Sequence, residues 1–236
     1  MTIELKNINK SYGKKTVLTD VNLKVETKAF VMLKGVSGSG KSTLLSIIGG
    51  IEPATSGEVV IDGQDVNGLK GKARADFYRH KVGFIFQGFY LQPQLTIGEN
   101  IALMGFFAGM PKKEREVRAQ ELAEMLGIAD VLGNLPAEVS GGQAERACAA
   151  RAMFMHPEII LADEPTNNLD PENAKNVIEM LKKIQQDTGA TMIVASHDPM
   201  VEKYASQVIT VKEGRVISQE KGAEKPETAS EPVQEA

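Results

Sequence analysis

Over the first thirty residues apolar side chains fall at nearly alternate positions: Ile3, Leu5 and Ile8, then Val17, Leu18, Val21, Leu23 and Val25. A period of two marks a strand with one buried face, so this stretch predicts antiparallel strands. Turns are expected at Tyr12-Gly13-Lys14-Lys15 and at Thr19-Asp20. The continuous apolar run Phe30-Val31-Met32-Leu33 reads as a fully buried strand, and Leu44-Leu45-Ser46-Ile47-Ile48 as a helix ending near Gly49-Gly50. Glu58-Val59-Val60-Ile61 followed by Asp62-Gly63 predicts a hairpin. A short polar helix is expected over 72–80, then the strand Val82-Gly83-Phe84-Ile85-Phe86, ending at Gln87.

From about Gly88 to Pro157 the pattern turns helical. Thr96-Ile97-Gly98-Glu99 has the spacing of a capping box before a helix over 101–107. Pro111 opens a charged helix whose apolar side is expected to carry Val117, Leu122 and Met125-Leu126, stopping at Gly127. A third helix starts after Ser140. Strand signals return at Ile159-Ile160-Leu161-Ala162, Met192-Ile193-Val194-Ala195 and Val208-Ile209-Thr210-Val211, the last joined by Glu213-Gly214 to Arg215-Val216-Ile217. A helix from Pro171 to about Asp187 lies between the first two of these. Strands alternating with helices predict an α/β fold with a mixed, mainly parallel sheet, an N-terminal antiparallel β subdomain and an inserted helical subdomain. The expected division is 1–87 with 158–218 as the core and 88–157 as the helical insert. Residues 219–236, rich in Glu, Ala, Lys and Pro, read as a disordered tail.

Between the strand at 30–33 and the helix at 44–48 lies Gly35-Val36-Ser37-Gly38-Ser39-Gly40-Lys41-Ser42-Thr43. A glycine-rich turn there lets backbone N–H groups converge on a phosphate, and the helix N-terminus adds its partial positive charge. Lys41 can reach the β- and γ-phosphates, and the Ser42 hydroxyl can ligate Mg²⁺. This is a nucleoside-triphosphate site of the P-loop type. Asp163-Glu164 end an apolar strand: Asp163 is set to hold the Mg²⁺ through water, and Glu164, pointing elsewhere, to polarise an attacking water. Val139-Ser140-Gly141-Gly142-Gln143 forms a second open helix N-terminus, with Ser140 as its cap.

Composition narrows the partners. A net charge of −4 argues against a nucleic-acid partner. No apolar run reaches the ~20 residues that span a bilayer, so work at a membrane would need docking on another chain. The single cysteine, Cys148, excludes an internal disulfide framework and reads as a small buried hydrophobe.

In their order these elements resemble the ATP-binding-cassette ATPases over about residues 1–218. Residues 35–43 match the family's Walker A, Gln87 its Q-loop, residues 139–143 its LSGGQ signature and 159–164 its Walker B. Asn168-Leu169-Asp170 match the D-loop, and His197 the switch histidine. The resemblance implies ATP and Mg²⁺ as cofactors, with Ser42, Gln87 and Asp163 at the metal. It makes Glu164 the general base, His197 the γ-phosphate contact and Gln87 the sensor of a membrane partner. Tyr12 lies where the family stacks an aromatic on adenine, although an aromatic at a strand end also packs a hairpin. Ser140, Gly141, Gly142 and Gln143 would close over ATP bound by another chain, giving a homodimer or a paired cassette.

Residues 79–100 and 163–170 look like the subgroup of lipoprotein-releasing, macrolide-efflux, antimicrobial-peptide-resistance and cell-division ATPases. That implies a separate integral membrane permease and a place on the cytoplasmic face of the inner membrane. An importer ATPase, or a soluble cassette protein, is the alternative. Phe89 and Tyr90 would be core or the wall of a partner's groove. The chain departs from the pattern at Val139, Ala144-Glu145, Ala147-Cys148-Ala149 and Asn167 without losing a catalytic group.

Overall fold

Alternation in the N-terminal stretch becomes two long antiparallel strands, β1 (Ile3–Tyr12) and β2 (Lys15–Val25), in a computed structural model that describes residues 2–167 and 169–222. They join β4 (Ser56–Ile61) and β5 (Gln64–Asp65) in a four-stranded sheet ordered β2-β1-β4-β5. Asp62 and Gly63, with φ of 56° and 78°, make the two-residue turn between the last two, where both central positions need positive φ.

The turn expected at Thr19-Asp20 is instead a bulge inside β2. Ile8 pairs with Val21 and Lys10 with Leu18, so Asn9 alone faces both residues. Asp20 takes φ 48°, and its N–H donates to the Asn9 side chain at 3.0 Å, which keeps the strand running.

The second sheet holds β3 (Phe30–Lys34), β6 (Val82–Ile85), β7 (Ile159–Asp163), β8 (Thr191–Ser196), β9 (Gln207–Lys212) and β10 (Arg215–Lys221), ordered β10-β9-β3-β8-β7-β6. Only the β9–β10 pair is antiparallel, so the sheet is mixed and mainly parallel. Strand alternation divides its side chains between two cores. Val31, Leu33, Leu161 and Ile193 meet α1 (Lys41–Ile48) and the first sheet. Phe30, Met32, Ile160 and Met192 meet the helices on the other side. Those helices are α5 (Lys112–Met125), α6 (Gly141–Met153) and α7 (Pro171–Thr188).

The polar helix α2 (Gly71–Lys81), the short helices α3 (Ile97–Ile101), α4 (Leu103–Phe107) and α8 (Pro199–Glu202), and two 3-10 turns at Ala129–Val131 and Pro136–Glu138 complete the described elements. The Thr96–Glu99 capping box forms as its spacing predicts, with bonds of 2.9 and 3.2 Å. Two expectations shift. Along α5 the buried side is Ala119, Leu122 and Ala123, while Val117 is 52% exposed and Met125 45%. At 3.6 residues per turn Val117 lies across the helix from Ala119. Residues 219–221, expected in the tail, instead pair with β9: Gln219 with Ile209, Glu220 with Val208 and Lys221 with Gln207. The rest of the predicted tail, 223–236, lies outside the described residues.

Gly83 in β6 sets how closely α6 approaches the sheet, since a Cβ there would sit 2.2 Å from the Ala152 carbonyl oxygen. Gly83→Ala is therefore expected to cost about 1–3 kcal/mol, the usual range for overpacking. For a chain of this size that lowers Tm by roughly 2–4 °C per kcal/mol. Thermal unfolding followed by circular dichroism checks this, and an unchanged Tm would mean that α6 is free to move off β6.

Candidate nucleotide-binding site

β3 ends at Lys34 and the chain turns through residues 35–40 into α1. Gly40 caps the helix at φ 105°, a conformation L side chains rarely adopt, and a Cβ there would meet Leu18 at 2.7 Å. The turn places Lys41 with only 4% of its surface exposed. Its ammonium donates to the carbonyls of Gly35 at 2.8 Å and Val36 at 3.2 Å and pairs with Glu164 at 3.0 Å. Ser39 Oγ is buried without a hydrogen-bond partner, an unmet polar atom inside the loop.

Asp163 ends β7 and Glu164 lies just beyond it, so strand alternation does not set their directions, and both carboxylates meet the same loop. The Ser42 hydroxyl donates to Asp163 Oδ1 at 2.9 Å. Burial pushes the Asp163 carboxyl above its ordinary range, and the Ser42 bond partly offsets this. Glu164 has φ 45°, a conformation a non-glycine residue holds only when its surroundings impose it. Its N–H continues the ladder to the Ala195 carbonyl at 2.8 Å, and its carbonyl accepts from the Asn167 N–H at 3.1 Å, closing the turn that leaves the strand. Glu164 Oε2 lies 2.9 Å from His197 Nδ1. A carboxylate only accepts, so Nδ1 carries the hydrogen in that bond. One carboxylate thus joins Lys41 to His197.

Lys41, Ser42, Glu164 and His197 line a cleft of roughly 740 Å³ together with Tyr12, Ser37 and Gln87, while Asp163 lies outside its lining and reaches it through Ser42. Its far wall is not evident from sequence. Lys15, Thr16, Asn167, Glu213 and Gly214 also line it, and the Gly214 N–H donates to the Ser39 carbonyl at 3.0 Å. No local pattern links the β9–β10 turn to a loop so distant in the chain; only the pairing of β9 with β3 brings it there. Tyr12 is 46% exposed, and its hydroxyl donates to the Glu52 carboxylate. That bond raises the phenol's pKa above its ordinary value.

Ser140, Gly141, Gly142 and Gln143 are not in this cleft. Ser140 Oγ accepts from the Gln143 N–H at 3.3 Å, and Gln143 Oε1 accepts from the Ser140 N–H at 2.9 Å, a capping box at the start of α6. A Cβ added at Gly141 or Gly142 would have nothing within 4 Å. Asp170 caps α7 by accepting from the N–H groups of Asn173 and Glu172 at 3.0 and 3.1 Å, which holds its carboxyl below the usual range. Asn168 of the same motif lies outside the described residues.

α6 also grips the loop after Gln87. Arg151 donates to the carbonyls of Tyr90 at 2.7 Å and Phe89 at 2.9 Å, and the Cys148 thiol donates to Phe89 at 3.0 Å. Burial pushes that thiol up to about 11, as suits a packing residue. Burial also lifts Glu145, one of the departures from the signature pattern, to about 7. Phe89 and Tyr90 are both exposed, at 47% and 70%. His80 and His156 line no part of the nucleotide cleft.

A family model described as ABC transporter matches residues 18–167. The bacitracin export ATP-binding protein BceA of Halalkalibacterium halodurans is 39% identical over 231 residues, covering 96% of this chain and 91% of that protein. The macrolide export ATP-binding/permease protein MacB of Aggregatibacter actinomycetemcomitans is 42% identical over 220 residues, covering 92% of this chain. The chain spans only 34% of MacB's length. Among solved structures, a dimeric post-hydrolysis state of the ATP-binding cassette MJ0796 bound to ADP and Pi superposes with a TM-score of 0.84 at 39% identity, covering 93% of this chain and 98% of that one.

Proposed function

The chain belongs to the ABC transporter family, and from that premise we propose that it is the Mg²⁺-dependent ATPase subunit that powers a separate membrane permease of the export or mechanotransmission kind. The observation that carries this reading is the Glu164 carboxylate joining Lys41 to His197 beside the phosphate loop. A triphosphate arriving at Lys41 competes with Glu164 for the ammonium. Glu164 is then free to take the proton of the attacking water, while His197 faces the γ-phosphate.

The Ser42 hydroxyl and the Asp163 carboxylate, 2.9 Å apart, are hard oxygen donors suited to Mg²⁺, and Gln87, which lines the cleft, would add an amide oxygen. The ion supplies charge neutralisation at the phosphates. In this reading two chains enclose two ATP molecules, each bound by one chain's residues 35–43 and closed by its partner's 140–143.

Among the described residues no helix is long and apolar enough to cross a membrane. The chain would therefore sit on the cytoplasmic face of the inner membrane by docking on the permease. A groove of roughly 460 Å³ lined by Tyr78, Phe84, Phe86, Met104, Phe107 and Met155 fits an amphipathic permease segment, and the loop gripped by Arg151 borders it. BceA, matched over nearly its full length, is likewise an ATP-binding protein for export. The net charge of −4 fits a chain with no nucleic-acid partner.

Co-expression with a candidate permease, followed by detergent extraction, tests this. The chain should co-purify with the permease, and Phe107→Asp, on a side chain already 61% exposed, should abolish co-purification with an unchanged circular dichroism spectrum. Retention of the Phe107→Asp chain on the permease would rule the groove out as the docking site.

A further inference from the structure

Tyr12 is the last residue of β1, and nothing in a strand end by itself fixes the attitude of a half-exposed ring. This ring is nonetheless held at two points, its face and its hydroxyl. The Lys10 ammonium stands 4.7 Å from the ring centroid, covering one face. The Tyr12 hydroxyl donates to the Glu52 carboxylate.

The holders are themselves anchored. The Lys10 side chain is 10% exposed, donates to the Pro53 carbonyl at 2.8 Å and pairs with Glu52 at 3.6 Å. Ile51 and Glu52 tie back to α1, their N–H groups donating to the Ser46 carbonyl at 2.9 and 3.1 Å. A path of direct contacts therefore runs from the helix that begins at the phosphate loop, through Glu52, to the ring. Lys10 is an almost buried cation whose charge is spent on this one turn.

We propose that Glu52 and Lys10 are positioning residues for the nucleotide's base, holding the Tyr12 ring ready to stack on adenine in register with the phosphates on α1. The proposal rests on the reading of Tyr12 as the stacking residue. Its physical content is preorganisation. A side chain immobilised before the ligand arrives does not lose its rotamer freedom on binding, a saving that corresponds to roughly 2–10-fold in affinity.

The test measures the affinity of the purified chain for ATP and for inorganic tripolyphosphate, which lacks the base, by calorimetry with Mg²⁺, together with KM and kcat. Tyr12→Phe, which removes only the hydroxyl, and Glu52→Ala should each weaken ATP binding about 2–10-fold and raise KM to match, with kcat and tripolyphosphate affinity unchanged. The double variant should be no weaker than either single one, because both break the same link. Glu52→Gln, whose amide oxygen still accepts from the phenol, should retain ATP affinity. If Tyr12→Ala weakens ATP binding while Tyr12→Phe and Glu52→Ala do not, the clamp is overturned and stacking stands. If Tyr12→Ala leaves ATP binding unchanged, stacking fails and the clamp with it. Equal losses for tripolyphosphate would overturn the proposal by placing the effect in the phosphate loop.

Discussion

Glu164→Gln is expected to slow ATP turnover by about 10²–10⁴-fold, the usual contribution of a positioned general base, without weakening ATP binding. The geometry separates the two effects. Gln keeps the length of the side chain and an oxygen that can accept from His197 Nδ1, so the link at 2.9 Å survives. What disappears is the negative charge 3.0 Å from the Lys41 ammonium and the capacity to take a proton. The lost charge is of the same sign as the γ-phosphate, so its removal leaves Lys41 more available to the nucleotide and binding the same or tighter. Phosphate release at saturating Mg-ATP measures the first effect and calorimetric titration the second. Turnover within about threefold of the unsubstituted chain would remove Glu164 from the role of base, since that is far below any general-base contribution. The conformation of Glu164 bears on the choice of variant. Its φ is 45°, and Gln leaves that backbone alone, whereas a β-branched residue would add strain there.

The parts of this site that can be read from the sequence are those whose chemistry is local. A glycine-rich turn between an apolar strand and a helix, and Ser or Thr three residues before Gln or Glu, announce themselves within a few positions. The loop at 35–43 and the capping boxes at Thr96 and Ser140 form accordingly. Thr19-Asp20 departs from its expected turn because the residue types that favour positive φ serve turns and bulges alike. Which of the two forms is decided by Asn9 on the neighbouring strand. Val117 has the apolar character of a buried position on α5, but the helix turns Ala119, Leu122 and Ala123 inward instead. The far wall of the cleft at Glu213-Gly214, the bond from Tyr12 to Glu52, and the grip of Arg151 on residues 89 and 90 all join positions about 40 to 175 apart. Contacts of that kind leave no periodicity behind, and only the sheet order brings them together.

Ser140→Arg should abolish turnover while leaving each chain able to bind ATP. Within one chain Ser140 lies outside the cleft that holds Lys41 and Glu164, so a change there has no path to nucleotide affinity through direct contact. Nor does the chain itself explain the residues that follow. Glycine in a helix costs roughly 0.5–1 kcal/mol relative to alanine, yet Gly141 and Gly142 open α6 with nothing within 4 Å of where a Cβ would stand. An open first turn with free N–H groups is suited to the close approach of an anion from outside the chain. The long side chain introduced by Ser140→Arg would fill that approach in a dimer while meeting open space in the monomer. Loss of the Ser140 cap costs about 1 kcal/mol, a shift in Tm of a few degrees that cannot by itself abolish activity. Mixing supplies the decisive measurement. Ser140→Arg retains an intact phosphate loop, and Lys41→Ala retains an intact signature. In a mixed dimer the loop of the first faces the signature of the second, so two inactive preparations should recover part of the activity when combined with Mg-ATP. A site contained in a single chain predicts no recovery at any ratio, and that result would end the two-chain reading even if Ser140→Arg alone behaved as expected.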